Sequence, residues 1–182
     1  MFTHTLSKLF NPEQTRAIIA LSEASRQKQG GLVGGVREHN IRRADISWLD
    51  DRGDAGWVMD KIVDAVAIAN RERFQFDITD FKERLQVAAY HQTDEGHYDW
   101  HSDIGDGPLA RQRKLTIVAQ LSDAASYDGG DLETSVGGSP RAADREEGSA
   151  TLFASFVAHR VTPVTRGTRH SLTCWCHGPQ FR

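Results

Sequence analysis

Apolar positions change their period about a third of the way along the chain. Asn11-Pro12-Glu13-Gln14 combines an N-cap residue, a proline at the first helical position and a glutamine able to close a capping box. Ala17, Ile18, Leu21 and Ala24 follow at helical spacing and predict a first helix. GGLVGG at 30–35 breaks that pattern and predicts a flexible loop. A second helix is predicted from about Asp54 to Arg71, with Trp57, Val58, Ile62, Ala65, Val66 and Ala69 as its apolar stripe. From about residue 74 the period shortens to that of strands. The candidates are RFQFDI, RLQVAAYH, KLTIVAQLSD, DLETSV, SATLFAS, HRVTPVT and TRHSLTCWC, separated by turns such as DGG at 128–130 and VGGSPRAADREEG at 136–148.

Helices first and a β-rich body afterwards predict an α+β fold, a jelly roll braced on one face by N-terminal helices. The 182 residues fit one domain, with 1–72 mainly helical support and 73–182 the jelly-roll core. Hydrophobic residues at 38% and charged residues at 26% can build a core and exclude wholesale disorder. No apolar run reaches membrane-span length, and MFTHTLSKLF lacks the long apolar core of a secretory signal. A formal net charge of −3 advertises no broad basic surface for nucleic acid, although RERF at 71–74 and RQRK at 111–114 are local basic clusters. Cys174 and Cys176 would lie on one face of a strand roughly 7 Å apart, poor geometry for a disulfide. Buried free thiols in a reducing cytoplasm are the expectation.

Histidine and carboxylate spacing changes the picture. His97-Tyr98-Asp99-Trp100-His101-Ser102-Asp103 holds His-x-Asp in two registers, His97/Asp99 and His101/Asp103. Residues two apart on an extended segment face the same side, so either pair can grip one metal ion. His159, on a later predicted strand, supplies a third ligand, and two histidines with one carboxylate make the facial triad of Fe(II) oxygenases. Arg169 lies ten residues beyond His159. Its planar fork suits the distal carboxylate of a dicarboxylate cosubstrate, whereas Arg160 and Arg166 read as solvated. Arg166-Gly167-Thr168 reads as a turn that would set His159 and Arg169 on adjacent antiparallel strands.

The stretches AAYHQTDEGHYDWHSD, RKLTIVAQLSDAASYDGGDLE and GSATLFASFVAHRVTPVTRGTRHSLTCW, within about residues 88–175, resemble the prolyl-4-hydroxylase-like branch of the 2-oxoglutarate/Fe(II) dioxygenases, especially its small bacterial and phage members. The resemblance implies a double-stranded β-helix and selects one register: Gly96, Tyr98, His101 and Asp103 match the family pattern, leaving His97 and Asp99 as neighbours. It implies Fe(II) on His101, Asp103 and His159, and 2-oxoglutarate on Arg169 with Tyr90 and Ser171 assisting. Gln120 stands where the family often has a hydroxyl, a departure at a cosubstrate position. Tyr98 and Trp175 would face the substrate, and Gln86 shares the parity of Tyr90. Arg169, Ser171, Thr173 and Trp175 share a parity that faces the interior, while Leu172, Cys174 and Cys176 would face the helices. Without the resemblance, Tyr90, Trp100 and Trp175 read as core aromatics, and Asp131 reads as the closure of a turn. The loop at 104–113 beside the metal motif is a candidate lid or substrate contact.

The implied activity is hydroxylation coupled to oxidative decarboxylation of 2-oxoglutarate to succinate, with O₂ consumed and ascorbate a candidate accessory reductant. An intact Asp103 favours hydroxylation over halogenation, where a small residue replaces that carboxylate. The expected substrate is a prolyl or similar aminoacyl residue in a peptide or protein. A free amino acid or other small molecule shares every motif. A nucleic-acid base is disfavoured because Trp175 occupies the place of that branch's second arginine. A non-catalytic binding jelly roll would have no use for Arg169.

Overall fold

The computed structural model describes residues 2–28 and 41–181. Its elements in chain order are β1 (Thr3–Leu6), α1 (Pro12–Lys28), β2 (Arg42–Arg43), β3 (Asp45–Trp48), α2 (Gly56–Ala69), β4 (Gln86–His91), β5 (His97–His101), β6 (Arg113–Gln120), β7 (Asp128–Gly129), β8 (Leu132–Ser135), β9 (Arg141–Ala142), β10 (Ala150–Ala154), β11 (Ala158–Val161), β12 (Val164–Arg166) and β13 (Thr168–His177). The major sheet runs β1-β10-β6-β13-β4-β3, the minor sheet β2-β5-β11-β8-β9, and β12 pairs with β7. Every pairing is antiparallel. Two facing antiparallel sheets with helices on one outer face make the jelly roll that the alternating pattern predicts. Among the described residues no helix is long and apolar enough to cross a membrane.

The capping box forms as spelled: Asn11 N donates to Gln14 Oε1 at 3.1 Å, and Gln14 N donates to Asn11 Oδ1 at 2.9 Å. The buried face of α1 keeps Ile18 and half-buried Leu21 of the predicted stripe but not its two alanines. Thr15, Ile18 and Ser22 are buried, whereas Ala17 and Ala24 are exposed. The Thr15 hydroxyl donates to the Pro12 carbonyl and to Glu147, so a polar side chain is satisfied inside. In α2 the stripe holds: Val58, Ile62, Val66 and Ala69 are buried. They pack with Ile18, Leu85, Val87, Leu115, Ile117, Leu172, Cys174 and Cys176 between the helices and the major sheet.

Four expectations are corrected. RFQFDI is not a strand: Asn70–Phe74 forms a π-helical turn ending at Gln75, whose φ is 55°. The Asn70 side chain locks that turn by donating to the Phe76 carbonyl and accepting from Phe76 N, both at 2.9 Å. HRVTPVT is two strands, because Pro163 has no N–H for a ladder and the chain leaves the minor sheet there to pair with β7. His159 and Arg169 therefore sit on opposite sheets, β11 and β13, not on adjacent strands. The first third is also more than helical support, since β1 and β3 form the edges of the major sheet and β2 an edge of the minor one. The loop expected at 30–35 lies outside the described residues. Asp131 pairs with Arg145 at 2.6 Å and stands outside the metal-ligating group.

Cys174 and Cys176 are fully buried free thiols. Burial pushes Cys174 up to about 12 and Cys176 well above its ordinary value. Because the thiolate is the reactive form, neither should react with a disulfide reagent at mildly alkaline pH in the native protein. Both should react on addition of denaturant. Rapid native-state labelling, read by mass, would show the two residues to be exposed.

Candidate active site

The site begins with a β-bulge. His101 faces His159 across β5 and β11, and Tyr98 faces Val161, so between these pairs Asp99 and Trp100 of β5 oppose the single residue Arg160 of β11. Tyr98 and His101 have opposite parity, and a regular strand would send them to opposite faces. The bulge turns both inward, and the Tyr98 ring stacks on the His101 ring at 3.5 Å and 15°. Trp100 points outward instead, 39% exposed beneath Arg160, so it is not a core aromatic. Gly96 starts this segment because a Cβ there would lie 2.7 Å from His91 N and 2.9 Å from the Tyr90 backbone.

His101, Asp103 and His159 converge, with candidate ligand atoms within 4.8 Å of one another. His101 Nε2 lies 3.7 Å from Asp103 Oδ1, and His159 Nε2 lies 3.6 Å from Asp103 Oδ2. His97 and Asp99 stay outside this group. Each histidine directs Nδ1 at a carbonyl, His101 at Asp99 O (2.7 Å) and His159 at Val157 O (3.0 Å). A carbonyl only accepts, so Nδ1 carries the proton and Nε2 keeps a lone pair for a metal. Burial, then neighbouring His159, lowers His101 to about 4, which keeps its ring neutral near neutral pH. Asp103 Oδ2 accepts from the Thr116 hydroxyl at 2.7 Å, and Thr116 meets Ser155 Oγ at 3.1 Å. Asp103 N donates to the Ser155 carbonyl at 2.9 Å, fixing the carboxylate from a second side.

Arg169 lies on β13 opposite Tyr90 of β4, and Ser171 lies opposite Gln120 of β6. The arginine is 1% exposed. Its Nε donates to Gln120 Oε1 at 3.1 Å, and its guanidinium carbon sits 5.5 Å from the centre of the Tyr90 ring. Nη1 and Nη2 are buried with no hydrogen-bond partner. A buried unpaired cation costs several kcal/mol, so this fork is shaped for an anion. Gly130 makes room for the side chain. It adopts φ of 62°, and a Cβ there would come within 3.1 Å of Arg169 Cδ and 2.8 Å of Val164 Cγ2. Arg160 and Arg166, by contrast, pair at 2.6 Å with Glu133 and Asp128.

Tyr90, Tyr98, Gln86, Ser171, Thr173 and Trp175 join the triad around a cavity of about 330 Å³. A larger cavity of about 610 Å³, lined by Arg43, Asp45 and His91 among others, contains none of the triad and has the weaker chemical claim. Three participants went unnoticed in the sequence. Arg113 lies 4.0 Å above the Trp175 ring, grips Glu83 through two hydrogen bonds of 2.7 and 2.5 Å, and donates to the Asp103 carbonyl at 3.0 Å. Burial alone would raise Glu83, but the hydrogen bonds from His177 and Arg113 hold it at about 2. Thr116 is the third. It shares the parity of Gln120 on β6, a signal that was available; the Glu83–Arg113 pair joins residues 30 apart with no local pattern.

The arrangement brings together a two-histidine, one-carboxylate ligand set and a dry, unpaired guanidinium on the opposite sheet. Both features fit Fe(II) and a dicarboxylate. The family model of the 2OG-Fe(II) oxygenase superfamily matches residues 85–177, half of the chain. A PKHD-type hydroxylase of Teredinibacter turnerae is 25% identical over 161 residues, covering 77% of this chain and 71% of that one. The chain spans only 35% of the length of the next two curated relatives, also PKHD-type hydroxylases. A Pseudomonas putida prolyl-4-hydroxylase structure superposes with a TM-score of 0.75 at 23% identity, covering 97% of this chain and 92% of that one. A Trichoplax adhaerens prolyl hydroxylase, solved in complex with a hypoxia inducible factor peptide fragment, gives 0.75 at 19% identity, with coverages of 96% and 83%. With two sheets, a facing triad and that match over half its length, the chain belongs to the 2OG-Fe(II) oxygenase superfamily, as a dioxygenase dependent on Fe(II), 2-oxoglutarate and O₂.

Proposed function

We propose that His101, Asp103 and His159 hold the iron, that Arg169 holds the distal carboxylate of 2-oxoglutarate, and that the substrate is a prolyl or similar aminoacyl residue of a peptide. The observation that carries the cosubstrate assignment is the Arg169 fork, buried with both terminal nitrogens unpartnered. When bound, Fe(II), 2-oxoglutarate and O₂ supply the hydroxylation and release succinate and CO₂. The protein's part is position and exclusion of water. Both histidines present Nε2, and Thr116 fixes the Asp103 carboxylate through Oδ2, so that Oδ1 lies toward His101 and Oδ2 toward His159. Gln120 fixes the Nε edge of Arg169 and leaves the other two nitrogens for a two-point carboxylate contact. Tyr90 and Ser171 flank that contact. Tyr98, Gln86 and Trp175 line the remaining space, a mixture of aromatic and polar groups suited to an aminoacyl substrate. We further propose that residues 1–182 act as one catalytic unit.

The two prolyl hydroxylases that share this fold support the substrate reading, one of them because a peptide lies in its structure. Proline-containing peptides incubated with protein, iron, 2-oxoglutarate and ascorbate should gain one oxygen atom in step with succinate release. Efficient hydroxylation of a free amino acid, with peptides untouched, would replace the peptide reading and leave the iron assignment standing.

His101, Asp103 and His159 would supply two imidazole nitrogens and one carboxylate oxygen to a single Fe(II) ion. His159→Ala should lower iron affinity by at least about tenfold in equilibrium dialysis, and undiminished binding would move the site. Arg169→Ala should raise the KM for 2-oxoglutarate by at least about tenfold, since a charged hydrogen bond is worth about 1.5–3 kcal/mol. An unchanged KM would show that another cation holds the carboxylate.

A further inference from the structure

We infer that Arg42, with Gln86, forms a subsite for a carboxylate carried by the substrate. The inference rests on the proposed site above and specifies what that site selects. Arg42 stands directly opposite Tyr98 in the β2–β5 pairing. Its guanidinium lies 4.7 Å from the centre of the Tyr98 ring, and that ring stacks on His101. Arg42 thus lines the cavity beside the metal ligands, on the minor sheet, while Arg169 sits on the major sheet.

Arg42 is anomalous in its pairing. Arg113, the other arginine lining this cavity, is neutralised by Glu83 at 2.5 Å. Among the described residues no carboxylate pairs with Arg42. Nη2 donates to Gln86 Oε1 at 2.7 Å, and Nε is buried with no partner. A neutral amide oxygen does not compensate a guanidinium, and an unmade hydrogen bond from a buried donor is costly. Because Arg42 only donates, Gln86 must turn its oxygen toward Arg42, leaving its amide nitrogen as a further donor at the same wall.

Among the described residues, Arg42 in the cavity wall and Arg169 on the major sheet are thus two cations without acidic partners. Arg169 accounts for the single distal carboxylate of the cosubstrate, and the second cation is unexplained by it. A carboxylate on the substrate would give the Arg42 guanidinium the charge partner it lacks and accept from the amide of Gln86 as well. Two sources share this chemistry: the terminal carboxylate of the reacting residue, or an acidic side chain beside it.

The test compares the iron- and 2-oxoglutarate-loaded protein, without oxygen, against matched ligands. Trp48 and Trp175 line the cavity, so quenching of tryptophan fluorescence reports binding. The probes are N-acetyl-L-prolinate against N-acetyl-L-prolinamide, and amidated peptides with Asp or Asn next to proline. At least one acid should bind about tenfold or more tightly than its amide partner. Whichever pair shows the preference identifies the source. Arg42→Gln should level the preference, and Arg42→Lys should retain part of it. The Kd for 2-oxoglutarate in the same variants should move less than about twofold, which separates this subsite from the Arg169 site. Equal affinity for acid and amide in the unaltered protein, binding of neither, or a preference that survives Arg42→Gln overturns the inference. Failure of 2-oxoglutarate itself to bind the unaltered protein would instead overturn the proposed function.

Discussion

Strand β13 alternates between two environments that cannot be exchanged. Arg169, Ser171, Thr173 and Trp175 face the cavity side, while Leu172, Cys174 and Cys176 are packed under the helices. A slip of one residue against β4 or β6 would drive a guanidinium into the apolar layer and turn leucine toward the site. Register here is therefore over-determined from both faces. The same register sets Arg169 opposite Tyr90 and Ser171 opposite Gln120, so the wall proposed to take the cosubstrate follows directly from how the core packs.

Charge burial is handled in two different ways within about one strand's length. Glu83, Arg113 and His177 form a closed network in which each ionic group is met, and its effect is to hold Asp103 and Trp175 from behind. Arg169 is more deeply buried than Arg113 or Glu83 and has two nitrogens without a partner. A network that stabilises has no reason to leave donors unmade. An open fork in a dry pocket is stability given up for binding, and its Gln120 contact keeps it from collapsing onto another acceptor.

Much of this was legible in the sequence because it follows strand parity. The capping box, the stripe of α2, the two faces of β13 and the inward set beginning at Tyr90 all come from local spacing. The expected metal residues, cosubstrate arginine and flanking Tyr90, Ser171 and Gln120 are brought together around one cavity or directly behind it. What failed had non-local causes. Ala17 and Ala24 are exposed on α1, while Thr15 is buried beside Glu147, a partner 132 positions away that local spacing does not reveal. The RFQFDI strand failed because one side chain, Asn70, locks a wide helical turn. His159 and Arg169 were expected side by side because a short connection suggests a hairpin, yet Pro163 diverts the chain between sheets.

The bulge in β5 shows why residue spacing alone could not settle the site. By parity, His97, Asp99 and His101 should share a face, and Tyr98 should lie behind them. The extra residue reverses this: Tyr98 moves to the cavity, His101 stays there, and the Asp99 carbonyl becomes the acceptor that fixes the His101 tautomer. It also decides what stands next to the metal ligands from outside. Once Tyr98 faces inward, its partner across the pairing, Arg42, comes with it and lies against the ring. A regular strand would carry the same residues with the tyrosine turned away and no stacked path from Arg42 to His101. The irregularity is thus the element that sets Arg42, Tyr98 and His101 in one stack beside His159 and Asp103.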